Sequence, residues 1–250
     1  MAGLVMTVLG VASIEGFALL GVITIVAAMV QRLSGQGFGT IMAGFVTLVA
    51  PTMAPVAILI LGLSVTAAGA GLDFKAIRWR EIAPAAAGRL LGTIPAVWVV
   101  SIIAGSSLLG LSVGLVVLLG VVLSLFGLRA PRNVWTMLTA GGLSGFFATL
   151  TSVGAAPMSL IYQDEEAKAA RGTLNLFFLL GLIFSLVGLA SKGLITTTHG
   201  LFALSLAPFV LVGVVLAGRF AKRMEGAPLR PLALFLASFA AIILIKNSVF

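Results

Sequence analysis

Eight apolar runs recur along the chain, with only short charged or turn-forming connectors between them. They are Gly16–Val30, Ala54–Leu72, Ile82–Ala104, Leu108–Leu128, Val134–Leu150, Gly172–Ser191, Gly200–Gly218 and Pro231–Ile245. Most reach the roughly 17–25 residues a helix needs to cross about 30 Å of hydrocarbon. The first extends upstream, because Leu4–Ile14 is also apolar and Glu15 is the only charge before Arg32. The last is short, with Arg230 and Lys246 placed to snorkel at its ends. A water-soluble fold is excluded. Only 9% of the residues are charged and 60% are hydrophobic, whereas soluble domains carry roughly 25% charged residues to cover their outside. The fold class is an all-α polytopic membrane protein, read as a single transmembrane domain over residues 1–250. No basic segment precedes the first apolar run, so the reading includes no cleaved signal peptide.

Two further apolar pieces are too short to span. Gly37–Ala50 and Gly154–Gln163 would make helices of about 21 and 15 Å. Each follows a longer run that contains or ends in the same tripeptide, Leu33-Ser34-Gly35 or Leu143-Ser144-Gly145. The order of long run, Leu-Ser-Gly, short piece and three long runs occurs twice. This is an internal repeat, with repeat one over residues 1–130 and repeat two over 131–250. Ala83-Pro84 and Ala207-Pro208 echo each other at corresponding places.

Charge decides how the repeats thread. Arg89 falls inside a run. If each short piece folds back to the side its preceding run came from, twelve of the other Lys and Arg residues lie on one side and two, Lys192 and Lys246, on the other. If the short pieces are mere loops, the split is seven against seven. Cytoplasmic loops carry the excess of Lys and Arg, so the fold-back threading is expected. Each half then makes three net crossings. The halves become inverted repeats with broken or re-entrant helices, and both termini lie outside the cytoplasm. That architecture is common in secondary transporters, whose sites lie between the repeats near the midplane. The +8 formal charge is accounted for by this orientation bias and calls for no nucleic acid.

The candidate site follows from the breaks. A helix N-terminus has free N–H groups and about half a positive charge, so it attracts anions. Gly37, Gly39 and Gly154 would let a ligand approach that backbone, and Ser34, Gln36, Thr40, Thr151 and Ser152 would add neutral donors. The same glycines could equally serve close helix packing. Arg89 lies eight residues beyond Glu81 in an apolar run, where an arginine needs a partner, a cavity or a snorkelling path. Asn175 could donate to a substrate or hold helices together. Arg32 is counted as a cytoplasmic anchor, and becomes a candidate anion ligand if the first break reaches the midplane. Tyr162, the only tyrosine, is read as an interfacial anchor. His199, the only histidine, is read as a solvated loop residue, and Glu15 as an outer-interface residue. The mixed-charge run 164–171 is read as a solvated connector.

These motifs resemble those of the sulfite exporter TauE/SafE family. The first is Leu33-Ser34-Gly35-Gln36-Gly37-Phe38-Gly39, continuing to Pro51. The second runs from Leu143-Ser144-Gly145 through Thr151-Ser152-Val153-Gly154-Ala155-Ala156-Pro157. The resemblance implies transport of a sulfur-containing or organic anion, such as sulfite or a sulfonate, across the bacterial inner membrane. The expected partners are that small anion and membrane lipids. A coupling proton or sodium ion and a homodimer are left open, and no cofactor or metal is called for. A passive anion channel is the alternative, although the runs offer few polar residues for a continuous pore. An intramembrane enzyme has little to build on, with no cysteine, one histidine and seven acidic residues. The threading predicts that a tag at either terminus reacts with an impermeant label from the outer face. Labelling of both tags only from the cytoplasmic face would reject it.

Overall fold

The computed structural model describes residues 11, 13–125, 130–224 and 229–249, and every regular element among them is helical. Helix α1 (Ile14–Ser34) starts at Ser13, whose Oγ accepts the Gly16 N–H at 3.0 Å. It stops at Gly35, whose left-handed φ of 80° suits a residue without a Cβ. After Gly37, with φ 110°, α2 (Phe38–Val49) runs back along α1, bringing the Val49 side chain against Gly16. A 3-10 turn (Pro51–Met53) leads into α3 (Val56–Leu72), and a second (Phe74–Ala76) into α4 (Trp79–Ile103). Helix α5 spans Ser107–Leu125.

The second half begins with α6 (Val134–Thr151), capped by Asn133 Oδ1, which accepts the Thr136 N–H at 2.9 Å. It breaks at Ser152, a non-glycine residue at φ 66°. Helix α7 (Ala155–Tyr162) then returns along α6, and the Ala130 N–H donates to Leu160 O at 3.2 Å. Helices α8 (Ala167–Ser191), α9 (Thr197–Met224) and α10 (Leu229–Val249) complete the chain.

Helices α1, α4, α8 and α9 are long and apolar enough to cross a membrane; α3, α5 and α10 carry shorter apolar stretches. Large apolar side chains such as Leu91, Trp98, Ile102, Leu204, Leu211 and Phe235 face outward, as lipid-facing residues do. Several helices run beyond the apolar stretches that mark them in the sequence. Helix α4 starts at Trp79 instead of Ile82, α8 at Ala167 instead of Gly172, and α9 extends from Thr197 to Met224. Hydropathy marks depth in the bilayer, whereas Ala167-Lys168-Ala169-Ala170 is good helix sequence in water or lipid. The upstream extension over residues 4–10, the end of the fourth run at 126–128, and Arg129 lie outside the described residues, as do the side chains of Lys222, Arg223, Arg230 and Pro231.

Close helix crossings replace the hydrophobic drive that lipid removes. The tightest joins α4 to α6. A Cβ on Gly92 would sit 1.9 Å from Gly142 O, one on Gly88 2.0 Å from Leu138 O, and one on Gly145 2.2 Å from Arg89 O. Helix α1 packs on α9 in the same manner, where a Cβ on Gly213 would be 2.5 Å from Ile25 O. Helix α3 packs on α8, and α5 on α10. Helix α2 is buried almost all round, with Ile41, Met42, Ala43 and Val46 fully enclosed. Its burial holds the first break deep inside the helix assembly. Gly92→Val is expected to destabilise the protein by about 2 kcal/mol or more, read as a sharply lower thermal midpoint in detergent, because backbone blocks the side chain. Gly71→Ala, which meets nothing within 4 Å, should leave the midpoint unchanged or raise it.

Candidate functional site

The two helix breaks meet. Gly39, at the start of α2, lies so close to Ser152 that a Cβ there would be 2.0 Å from Ser152 O. Gln31 holds the first break in shape. Its Oε1 accepts the Phe38 N–H at 3.1 Å, and its Nε2 donates to Gly35 O and Asn175 Oδ1, both at 2.9 Å. One buried amide thus caps both sides of the break and ties them to α8, where Asn175 Nδ2 donates to Arg171 O at 2.8 Å. With Phe38 N–H engaged, the N–H groups of Gly39 and Thr40 have no hydrogen-bond partner among the described residues. The second break has its own ties. Ser144 Oγ donates to Gly154 O at 2.6 Å, Thr151 Oγ1 donates to Phe147 O at 2.7 Å, and Ser152 Oγ donates to Pro55 O at 3.2 Å.

Arg89 enters this junction from α4. It is 1% exposed, the largest residue so fully enclosed among the described residues. Its Nη1 donates to Ser144 O at 2.9 Å and Ser144 Oγ at 2.6 Å, and its Cζ lies 5.4 Å from the Phe177 ring centroid. Gly181 of α8 makes the room, since a Cβ there would be 2.1 Å from Arg89 Nε. That Nε is buried without a partner, and no described carboxylate pairs with the guanidinium. Arginine at such depth costs about 2.5–3.5 kcal/mol on insertion scales. Burial on this scale excludes the snorkelling reading.

Beside Arg89 lies a cavity of about 50 Å³, whose polar lining includes Gly37, Gly39, Thr40, Thr66, Ser152 and Gly154. This is room for a few waters or for a small oxyanion. A vestibule of about 350 Å³ shares Gly37, Thr40 and Ala155 with it and reaches Gln163, Glu165 and Arg171. Leu59 and Leu182, also in the lining of the small cavity, belong to a buried apolar cluster with Val56, Val97, Val100, Leu150 and Leu189. One approach to Arg89 is therefore wide and carries polar and charged groups among apolar ones, and another is filled with hydrocarbon side chains.

The site residues expected from sequence divide into three groups. Gly37, Gly39, Thr40, Arg89, Ser152 and Gly154 border the small cavity. Ser34 and Gln36 line the vestibule instead. Thr151, Asn175 and Arg32 line neither: Thr151 and Asn175 serve the breaks, and Arg32 Nη1 lies 3.4 Å from Asp73 Oδ2. Gln31, Thr66, Ser144 and Asp73 are also in or beside the junction and were not singled out. A buried glutamine four residues before a Ser-Gly break is a signal a closer reading could have used.

Two surface readings are overturned and a third holds only in part. Tyr162 is 4% exposed and its hydroxyl donates to Glu81 Oε2 at 2.6 Å. Burial, with the Glu81 carboxylate beside it, pushes the phenol pKa up. The short α7 lays Tyr162 against α4 rather than at a lipid interface. His199 is 8% exposed in the first turn of α9. Its Nδ1 accepts the Thr196 N–H at 3.0 Å, which leaves Nε2 to donate to Thr52 O at 3.1 Å. The run 164–171 is solvated only in part: Asp164, Glu166, Ala167 and Lys168 are exposed, whereas Glu165 pairs with both Arg78 and Arg132, and Arg171 Nε lies 3.1 Å from Asp73 Oδ2. Complementary charges from distant loops converge there, which spacing along the chain does not reveal.

Apolar helices of membrane length, paired helix breaks and a buried, carboxylate-free arginine define a multi-pass membrane protein with an internal polar site. A family model described as Sulfite exporter TauE/SafE matches residues 19–244, and the chain belongs to that family. The family is one of anion exporter-type transporters rather than enzymes. No curated protein and no solved structure matches the chain. Tyr162→Phe, which removes the bond to Glu81, is expected to lower stability by about 1–2 kcal/mol. Thermal unfolding of the purified protein reads this directly, and an unchanged midpoint would count against the bond.

Proposed function

We propose that the protein is a secondary transporter of a small sulfur oxyanion, sulfite or a close relative, and that Arg89 with the Gly39 and Thr40 N–H groups binds it. The observation that carries this reading is Arg89 Nε, buried beside a cavity with neither a carboxylate nor a hydrogen-bond partner. A fixed positive charge in a buried site, with the start of a helix at Gly39 and Thr40 bordering the same cavity, is complementary to an oxyanion.

Alternating access between inverted repeats is the proposed mechanism. Helix contacts support it, because exchanging α1–α5 for α6–α10 maps one set onto another. The α1–α9 packing corresponds to α6–α4, α2–α10 to α7–α5, and α3–α9 to α8–α4, while α3–α8 and α5–α10 map onto themselves. The two hairpins at Val49 and Leu160 support the fold-back threading. On this reading the vestibule faces the cytoplasm of a bacterial inner membrane, the apolar cluster around Leu59 and Leu182 closes the outer path, and both termini are periplasmic. A carrier needs such a closed side, whereas an open channel does not. Arg89→Gln is expected to cut saturable sulfite flux into proteoliposomes by at least about tenfold while the purified protein stays folded and monodisperse. Full flux in this variant would reject the assignment, and wild-type flux at channel rates would reject the carrier mechanism.

A further inference from the structure

Two arginines share one carboxylate oxygen beside the vestibule. Asp73 follows the last turn of α3 and is 3% exposed. Its Oδ2 lies 3.1 Å from Arg171 Nε and 3.4 Å from Arg32 Nη1. The three groups together keep a net single positive charge. Arg171 belongs to the vestibule lining, whereas Asp73 and Arg32 stand behind it. Gly35 lies directly on the Arg171 backbone, since a Cβ there would be 2.8 Å from Arg171 Cα. Ser34 and Gln36, the neighbours of Gly35, line the same cavity as Arg171. Gln36 Oε1 is buried there without a hydrogen-bond partner, and buried polar atoms in folded proteins nearly always have one.

We propose that Ser34, Gln36 and Arg171 form a second anion site in the vestibule, distinct from the Arg89 cavity, in which Asp73 holds Arg171 until an oxyanion displaces it. The identity of the anion rests on the transport reading above. The Asp73 contact engages Arg171 through Nε, and a guanidinium has five N–H donors in a planar fork suited to two oxygens of an oxyanion. Arg32 makes the exchange inexpensive, because Asp73 keeps one cation when Arg171 turns away and is never left as an unpaired buried charge. A proton-bearing oxyanion, or a water beside it, supplies the donor that Gln36 Oε1 lacks. A positive site at the wide end of the path would gather anions ahead of the narrow central cavity.

Calorimetric titration of sulfite into the full-length protein in nanodiscs tests this. Wild type is expected to take two equivalents, and Arg89→Gln and Arg171→Gln one each. On the Arg89→Gln background, Arg171→Lys should weaken the remaining site about tenfold, since it keeps the charge and loses the fork, and Asp73→Asn should tighten it by removing the competitor. A wild-type stoichiometry of one, lost in Arg89→Gln and unchanged in Arg171→Gln, overturns the vestibule site and leaves the transport reading standing. Residual binding in Arg89→Gln that neither Arg171 variant alters also overturns it. No sulfite binding by wild type overturns both.

Discussion

The arrangement of the whole molecule turns on one buried charge. Arg89 sits inside a helix assembly where, among the described residues, Ser144 is the polar partner of its guanidinium, a phenylalanine ring lies under it and no acid neutralises it. Such a group is tolerable only where further polar contacts reach it. The neighbouring elements are shaped for that. Gly181 leaves space for the guanidinium, Gly145 and Gly92 bring α6 against α4, and the second break puts Ser152 and Gly154 beside it. Ser144 fixes both Arg89 and the Gly154 carbonyl, so one hydroxyl joins the charge to the break.

The breaks themselves need protection, because open backbone in hydrocarbon is expensive. The first is enclosed by Gln31, which satisfies one N–H and one carbonyl of the turn and is itself held by Asn175. The second uses short hydroxyl side chains, Ser144, Thr151 and Ser152. Two different solutions thus support similar turns. Around the vestibule, charges do the holding instead. Asp73 and Glu165 each gather two arginines from separate segments.

Much of this was legible in the chain. The short pieces after Leu-Ser-Gly could not span, so they had to fold back or stay outside, and the clustering of Lys and Arg chose between the two. Both hairpins appear, and α2 and α7 start within a residue of the expected glycines. Arg89 stood out because charge inside an apolar run is rare. Tyr162, His199 and Glu165 were misread because each was judged by residue type and position in a connector. Their burial depends on Glu81, Thr52, Arg78 and Arg132, which come from elsewhere in the chain.

The sequence by itself determined the helical class, the membrane setting and the pair of helix breaks, because these follow from local properties: hydropathy over a helix length, glycine at a left-handed turn, and charge at the ends of apolar runs. Only the tertiary structure decided which polar groups share a space. It placed Thr40 and Ser152 beside Arg89, moved Ser34 and Gln36 out to the vestibule, and tied Arg32 to Asp73. Those outcomes depend on how α1, α4, α6 and α8 cross, and the crossings are set by which glycines face which carbonyls across residues far apart in the chain.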